Sequence, residues 1–291
     1  MKSNTIKKWA FSSLLLTMLL PVNALADAQV GEMTVTLGEN LTQEQKNTLL
    51  AEMNAPENVE VVTVTNQEEH TYLGDYVPKR LIGTKALSSS AITNEAAGSG
   101  LTVKTKNISW VTEEMYINAL ATAGVKDADI YITAPIQVSG TAALTGIIKA
   151  YELQSNKAIP EEVKQAANEE MVKTAHLGDQ VGTDEASALM TKIKEEIAQN
   201  PPETEADLRA IIESAAKELG ITLNEDQIQS LIDLFNKLKE LNIDWNAVGD
   251  QLNEAKEKLT TFLQSEEGQS FLDQLKDVFA SLIDAIKSFF S

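Results

Sequence analysis

Val59-Glu60-Val61-Val62-Thr63-Val64 runs straight into Thr65-Asn66-Gln67-Glu68-Glu69. The first stretch is mostly β-branched, and such side chains are stiff at χ1 and suit a pleated strand. Asn66, with Glu69 three residues on, has the spacing of a capping box, so a short helix toward Tyr76 is predicted to follow. A strand that passes directly into a helix is the building unit of layered α/β and α+β folds.

The same alternation extends in both directions. Upstream, Thr42 with Gln45 predicts a capped helix to about Met53. Downstream, residues 81–93 and 101–109 read as extended chain and are predicted to pair as a hairpin through Ala97-Gly98-Ser99-Gly100. Thr112 caps a helix through Ala123, which Gly124 ends. Ile130-Tyr131-Ile132 reads as a strand, and Ser139-Gly140-Thr141 opens a helix to about Leu153. Residues 27–155 are therefore predicted to form an α+β (or α/β) N-terminal domain. Val64-Thr65-Asn66-Gln67-Glu68-Glu69 and Val111-Thr112-Glu113-Glu114 share a rhythm. Either a degenerate duplication or chance reuse of common helix starts explains it.

Residues 156–291 read as an all-α helical region. Pro160 suits a helix start. Ala186, Leu189, Met190, Ile193 and Ile197 make one stripe, which Pro201-Pro202 interrupts. Thr204 with Asp207 and Asn224 with Gln227 cap two more helices, and Gly220 separates them. Asp244 is predicted to cap a further helix carrying Val248, Leu252, Ala255, Leu259 and Phe262. The last apolar stripe runs through Phe271, Leu275, Val278, Phe279, Leu282, Ile286 and Phe290. Its steps of one, three and four define a strongly amphipathic helix and a candidate docking element. Acids outnumber bases along it, so a protein partner is favoured over an anionic membrane.

The first 26 residues have the form of a cleaved secretory signal. Lys2, Lys7 and Lys8 precede an apolar run from Ala10 to Leu20, Pro21 breaks it, and Ala24-Leu25-Ala26 supplies small residues for cleavage before Asp27. The chain of 291 residues carries a net charge of −19, and all three bases of this segment leave with it. Such acidity speaks against a nucleic-acid partner, because phosphate backbones are held by clustered Lys and Arg. The chain has no Cys, which excludes disulfides, thiol catalysis and Cys-ligated metal centres. No cofactor motif and no membrane span are expected after signal cleavage.

No catalytic constellation emerges. Only His70 and His176 are present, and neither lies in a recognisable motif. Ser214-Ala215-Ala216-Lys217 fits the Ser-x-x-Lys pattern of penicillin-binding enzymes, but no Lys-Thr-Gly accompanies it and it lies within an amphipathic stripe. Gly140-Thr141-Ala142-Ala143-Leu144-Thr145-Gly146 departs from a phosphate loop in spacing and lacks the Lys, so close helix packing is the better reading. The paired acids, such as Glu68-Glu69 and Glu113-Glu114, sit where helix starts favour negative charge.

Several strings together carry a resemblance. They are Val64-Thr65-Asn66-Gln67-Glu68-Glu69, Ile82-Gly83-Thr84-Lys85-Ala86-Leu87-Ser88-Ser89-Ser90, and Thr105-Lys106-Asn107-Ile108-Ser109-Trp110-Val111-Thr112. To these are added Met115-Tyr116-Ile117-Asn118-Ala119-Leu120-Ala121-Thr122-Ala123-Gly124-Val125 and Val138-Ser139-Gly140-Thr141-Ala142-Ala143-Leu144-Thr145-Gly146. From about Leu37 to about Leu252 the chain resembles the YpuA-like family, a domain of unknown function in exported proteins of Gram-positive, largely spore-forming bacteria. The resemblance implies export and an envelope setting, and it implies no activity. Among its motif residues, Asn66, Glu69, Ser88, Ser89, Asn107, Trp110, Asn118, Thr122, Ser139 and Thr141 are the candidates for a recognition surface, with helix capping and tight packing as the other use of such residues. The expectation is an exported, non-catalytic envelope protein that binds another exported or membrane-embedded protein. The alternative is an enzyme acting on a cell-wall polymer.

Overall fold

Met33–Gly38 forms a strand (β1) that the reading above leaves unassigned. In the computed structural model, which describes residues 29–264 apart from 75, 77 and 78, this strand lies inside the sheet, next to one edge. Val35 and Leu37 pack with Leu49 and Met53 of the first helix, Gln43–Glu52 (α1), and its end. Thr36 belongs to the other pleat and its hydroxyl lies 2.7 Å from that of Ser90. The signal segment and the candidate docking stripe from Phe271 to Phe290 lie outside the described residues.

Glu60–Val64 (β2) and Asn66–Leu73 (α2) follow. The capping box sits one residue earlier than the spacing predicts. Thr65 has extended dihedrals and pairs reciprocally with Glu68, so Asn66 is already helical and Glu69 is released to turn inward. Lys79–Ile82 (α3) is a single helical turn where extended chain is predicted.

Ser89–Asn94 (β3) and Leu101–Ile108 (β4) are strands, but they do not pair as a hairpin. Ala128–Val138 (β5) inserts between them, antiparallel to β3 and parallel to β4. The loop at Gly98-Ser99-Gly100 is held instead by Asp127, whose carboxylate accepts from the Gly98 and Gly100 amides at 3.0 Å each. The result is a mixed five-stranded sheet in the order β2-β1-β3-β5-β4.

Glu113–Thr122 (α4) and Ala143–Ser155 (α5) cover the face opposite α1. Gly146 lets α5 approach: a Cβ there would stand 2.9 Å from both Thr36 Oγ1 and Val64 Cγ2. The small residues from Gly140 to Gly146 thus serve close packing.

Glu161–Val181 (α6) lies on α4 and α5, and Thr183–Gln199 (α7), Glu205–Glu218 (α8), Glu225–Glu240 (α9), Trp245–Gln251 (α10) and Asn253–Gln264 (α11) complete the described chain. The helix predicted to run on from Asp244 is divided at Leu252. Met171 and Val172 of α6 and Val248 of α10 share a core with Leu120 and Ile130. Packing therefore crosses the predicted boundary at residue 155. The helices α7, α8 and α9 enclose a second core around Ile193, Ile212 and Phe235. Among the described residues no helix is long and apolar enough to cross a membrane.

The outer edge of β4 is closed by side chains. Glu254 of α11 accepts from the Val103 amide at 3.2 Å, and Glu113 of α4 accepts from the Thr105 amide at 2.9 Å. Lys258 joins the two carboxylates, at 2.7 Å from Glu113 and 3.5 Å from Glu254. Partial burial pulls the Lys258 ammonium down, but the bonds and charges of Glu113 and Glu114 outweigh it and hold its pKa above the usual lysine range.

The reciprocal box of Thr204 and Asp207 opens α8 as the spacing predicts. Thr204→Ala is expected to lower stability by about 1 kcal/mol, the usual loss for an N-cap hydroxyl. A denaturation midpoint unchanged from the parent would show that α8 does not depend on this cap.

Candidate functional site

Three helices meet around a cleft of about 210 Å³. Each presents residues four apart, which lie on one helical face. Glu68 and Tyr72 come from α2, Thr145 and Lys149, with Ile148 and Glu152, from α5, and Lys164 and Asn168 from α6.

The cleft is lined by charge pairs of both signs. Lys149 Nζ donates to Glu68 Oε1 at 2.6 Å and to the Thr63 carbonyl at 2.9 Å. Burial raises the Glu68 carboxyl, but the bonds from Lys149 and Thr65 dominate and hold it below the usual range. On the opposite wall Lys164 Nζ lies 3.2 Å from Glu152 Oε1, which also accepts from the Ile159 amide at 2.7 Å. Burial works to lower the Lys164 pKa, and the Glu152 bond, with neighbouring Tyr72 and Glu161, more than reverses it. Ile148 supplies the apolar lining.

Two buried polar atoms in this lining have no hydrogen-bond partner among the described residues: Thr145 Oγ1 and Asn168 Oδ1. Asn168 is fully buried, and its Nδ2 donates back to the Lys164 carbonyl at 2.8 Å, which fixes the amide orientation and leaves the oxygen over. Buried polar groups are normally paired, so such remainders stand out.

The ten recognition candidates do not gather into one surface. Glu69, Ser88, Ser89, Asn118, Thr122 and Thr141 are buried, Asn66, Trp110 and Ser139 are half-buried, and Asn107 is exposed. The reason is that their small polar groups are spent inside the fold. Asn118 Nδ2 donates to Thr191 Oγ1 at 2.9 Å, and Thr122 Oγ1 donates to Glu170 Oε2 at 2.6 Å. Lys194 Nζ completes this cluster, with the Asn118 carbonyl and Thr122 Oγ1 at 2.6 Å each and Glu170 Oε1 at 2.5 Å. Burial is the leading influence on both ionisable partners, pushing Glu170 up and Lys194 down, while their mutual attraction opposes it. Ser139 and Thr141 hydroxyls lie 3.3 Å apart. Asn107 takes a left-handed conformation at the β4 irregularity and donates to the Ala134 carbonyl. Trp110 donates to Asp179 and stands edge-on to His176. Asn66 donates to Glu69 Oε2 at 2.9 Å, and the other oxygen of Glu69 has no partner among the described residues. Burial, followed by the nearby Glu39 and Glu68 charges, raises the Glu69 pKa to about 7.

Sequence reasoning missed Thr145, Lys149, Lys164, Asn168, Glu170 and Lys194 as interior or cleft groups. For Lys194 a signal exists: it follows Met190 by four and falls on the apolar stripe of α7.

The chain is thus an α+β protein in which a mixed sheet is backed by a helical layer that holds a cleft lined by charge pairs. Its membership is specific: residues 37–255 match the family described as "Protein of unknown function (DUF1002)", and the chain belongs to that family. It is also similar to a Bacillus subtilis (strain 168) protein named "Uncharacterized protein YpuA", at 52% identity over 276 residues, 94% of this chain and 95% of that one. No solved structure matches.

Proposed function

We propose that the protein is an exported, non-catalytic component of the cell envelope that works by binding another exported or membrane-embedded protein. The observation that carries this reading is that the groups chemistry would need are already engaged. His70 Nε2 lies 3.0 Å from the Gly83 carbonyl, and His176 meets Trp110 edge to face beside Asp179. Glu68, Glu113, Glu152 and Glu169 are each bound by lysine. A carboxylate already bonded to an ammonium is not free to exchange a proton with a substrate. Glu69 has its pKa near neutrality but is sealed at 1% exposure, out of reach of a polymer. The basic, apolar and small-residue sequence of the N-terminus supports export, and the Bacillus subtilis relative supports a Gram-positive setting.

Docking is assigned to the apolar stripe from Phe271 to Phe290. In-cell cross-linking should recover one envelope protein with the full chain and lose it when the chain stops after Gln264. Equal recovery by both chains would move binding to the sheet domain or the middle helices. Release of a product from purified peptidoglycan or teichoic acid, read by mass spectrometry, would overturn the non-catalytic reading in favour of a wall-polymer enzyme.

A further inference from the structure

We propose that two copies of this chain pair antiparallel through β2, so that their five-stranded sheets meet across a two-fold axis. The contact lies on the sheet and is separate from the terminal stripe assigned to the envelope partner.

The direction of the backbone groups along β2 defines what is on offer. β2 runs parallel to β1, with Val62 beside Thr36 and Val64 beside Gly38. The Val64 carbonyl accepts from the Glu39 amide at 2.9 Å, so the backbone groups of Val64 point toward β1. Successive residues of a strand turn these groups to opposite sides, so those of Val61 and Thr63 point away from β1. In keeping with this, the Thr63 carbonyl is met by the Lys149 side chain at 2.9 Å. Among the described residues no strand pairs on that side. Natural sheet edges are guarded by Pro, a bulge or a lysine of their own. Glu60-Val61-Val62-Thr63-Val64 has none of these, its register with β1 is unbroken, and Val61 is exposed.

Self-pairing satisfies the outward groups in one register. With the axis at Val62, Val61 of each copy stands opposite Thr63 of the other, and each such pair exchanges both its N–H···O=C bonds. The Thr63 carbonyl has two lone pairs, so it accepts the new bond and keeps Lys149. Charge then selects the direction. Glu60, the one charged residue of β2, comes opposite Val64 of the second copy. Residues 60, 62 and 64 share a face of the sheet. That face is the one α5 covers, since a Cβ on Gly146 would stand 2.9 Å from Val64 Cγ2. Lys149 also belongs to α5, is 40% exposed and reaches over this margin to Thr63. Each Glu60 carboxylate therefore arrives beside the Lys149 ammonium of the other copy, which has a proton beyond those given to Glu68 and Thr63. A parallel pairing would instead set Glu60 beside Glu60.

The chain has no Cys, so the position of the axis can be read by cross-linking. Two Val62 residues in a non-hydrogen-bonded pair have Cα atoms about 4.5 Å apart, within reach of a disulfide. Two Glu60 residues are displaced by about 13 Å along the strands and are out of reach. Val62→Cys is expected to oxidise to a linked dimer, and Glu60→Cys is not. Sedimentation velocity on the full mature chain is expected to show a reversible dimer with a dissociation constant of about 100 μM or tighter. Val61→Lys changes an exposed side chain, so the melting temperature should hold while the dimer weakens about tenfold or more. A chain that stays monomeric up to about 1 mM, a dimer that Val61→Lys leaves intact, or Glu60→Cys cross-linking as readily as Val62→Cys would each overturn the proposal. The sedimentation comparison decides the matter even where Val62→Cys fails to fold. Capture of an envelope protein through the terminal stripe depends on none of these results, so the two proposals fail separately.

Discussion

Lys194→Met is expected to destabilise the protein by about 3–5 kcal/mol at neutral pH. Lys194 and Glu170 are both fully buried and lie 2.5 Å apart where α4, α6 and α7 meet. The Thr122 hydroxyl and the Asn118 carbonyl accept from the ammonium, and the Glu170 carboxylate faces it as an ion pair. Methionine fills most of the volume but leaves a carboxylate in the core with only Thr122 as a donor. That charge must then be neutralised by a proton at a pH where free carboxylates are ionised. The variant's deficit should therefore be largest at neutral pH and shrink as the pH falls toward the ordinary glutamate range. Combining Lys194→Met with Glu170→Leu should recover most of the loss, because breaking a buried pair costs more than replacing both members with apolar groups. Urea denaturation followed by circular dichroism measures all three chains. A single-variant loss under about 1 kcal/mol would mean that the pair behaves like an exposed one and that this reading of the interior is mistaken.

The second large effect concerns Glu69, and its sign is opposite. In the folded chain its carboxyl titrates at about 7, against 4.5 for the unperturbed group. The native state thus holds a proton that the unfolded chain releases between those values. Below 4.5 both states are protonated and the residue has no effect. Stability falls as the pH rises from 4.5 to 7, and above 7 the full penalty is present. The gap corresponds to roughly 3 kcal/mol. Glu69→Gln carries no charge at any pH, so it should stabilise the protein by up to this amount at pH 8 and by almost nothing at pH 4.5. Parallel stability curves for the two chains across that interval would refute it. Asn66 donates to only one Glu69 oxygen, so a second donor is not there to hold the ionised form.

The fold was readable where the deciding interactions are local. The boxes at Thr42 with Gln45, Thr204 with Asp207 and Asn224 with Gln227 are all present, because a cap is settled within four residues. At α2 two overlapping boxes compete, Thr65 with Glu68 and Asn66 with Glu69, and spacing alone cannot choose between them. Strand partnership is a different matter. Nothing within 81–109 tells that β5 will come between β3 and β4, since its registers join residues tens of positions apart. Met33 to Leu37 alternates with a period of two and went unassigned, and Thr34 and Thr36 are as buried as Val35 because the strand is covered on both faces.

The candidate site was hidden for the same reason. Its lining comes from three helices, and each contributes polar residues four apart that look like ordinary solvent-facing turns. Small polar residues such as Asn118 and Thr122 gave the opposite error. They suggest a surface and are consumed around a buried lysine that one-dimensional patterning marks only as an interruption of an apolar stripe.

The carboxylates that seal β4 limit how the molecule can polymerise. Strand addition needs unpaired backbone groups, and the amides of Val103 and Thr105 are already taken. At the opposite border Lys149 occupies the Thr63 carbonyl, but Val61 is 45% exposed and among the described residues its strand has one pairing side open. Two chains meeting there would use up the open border of each. Among the described residues, strand addition of this kind therefore terminates at a pair.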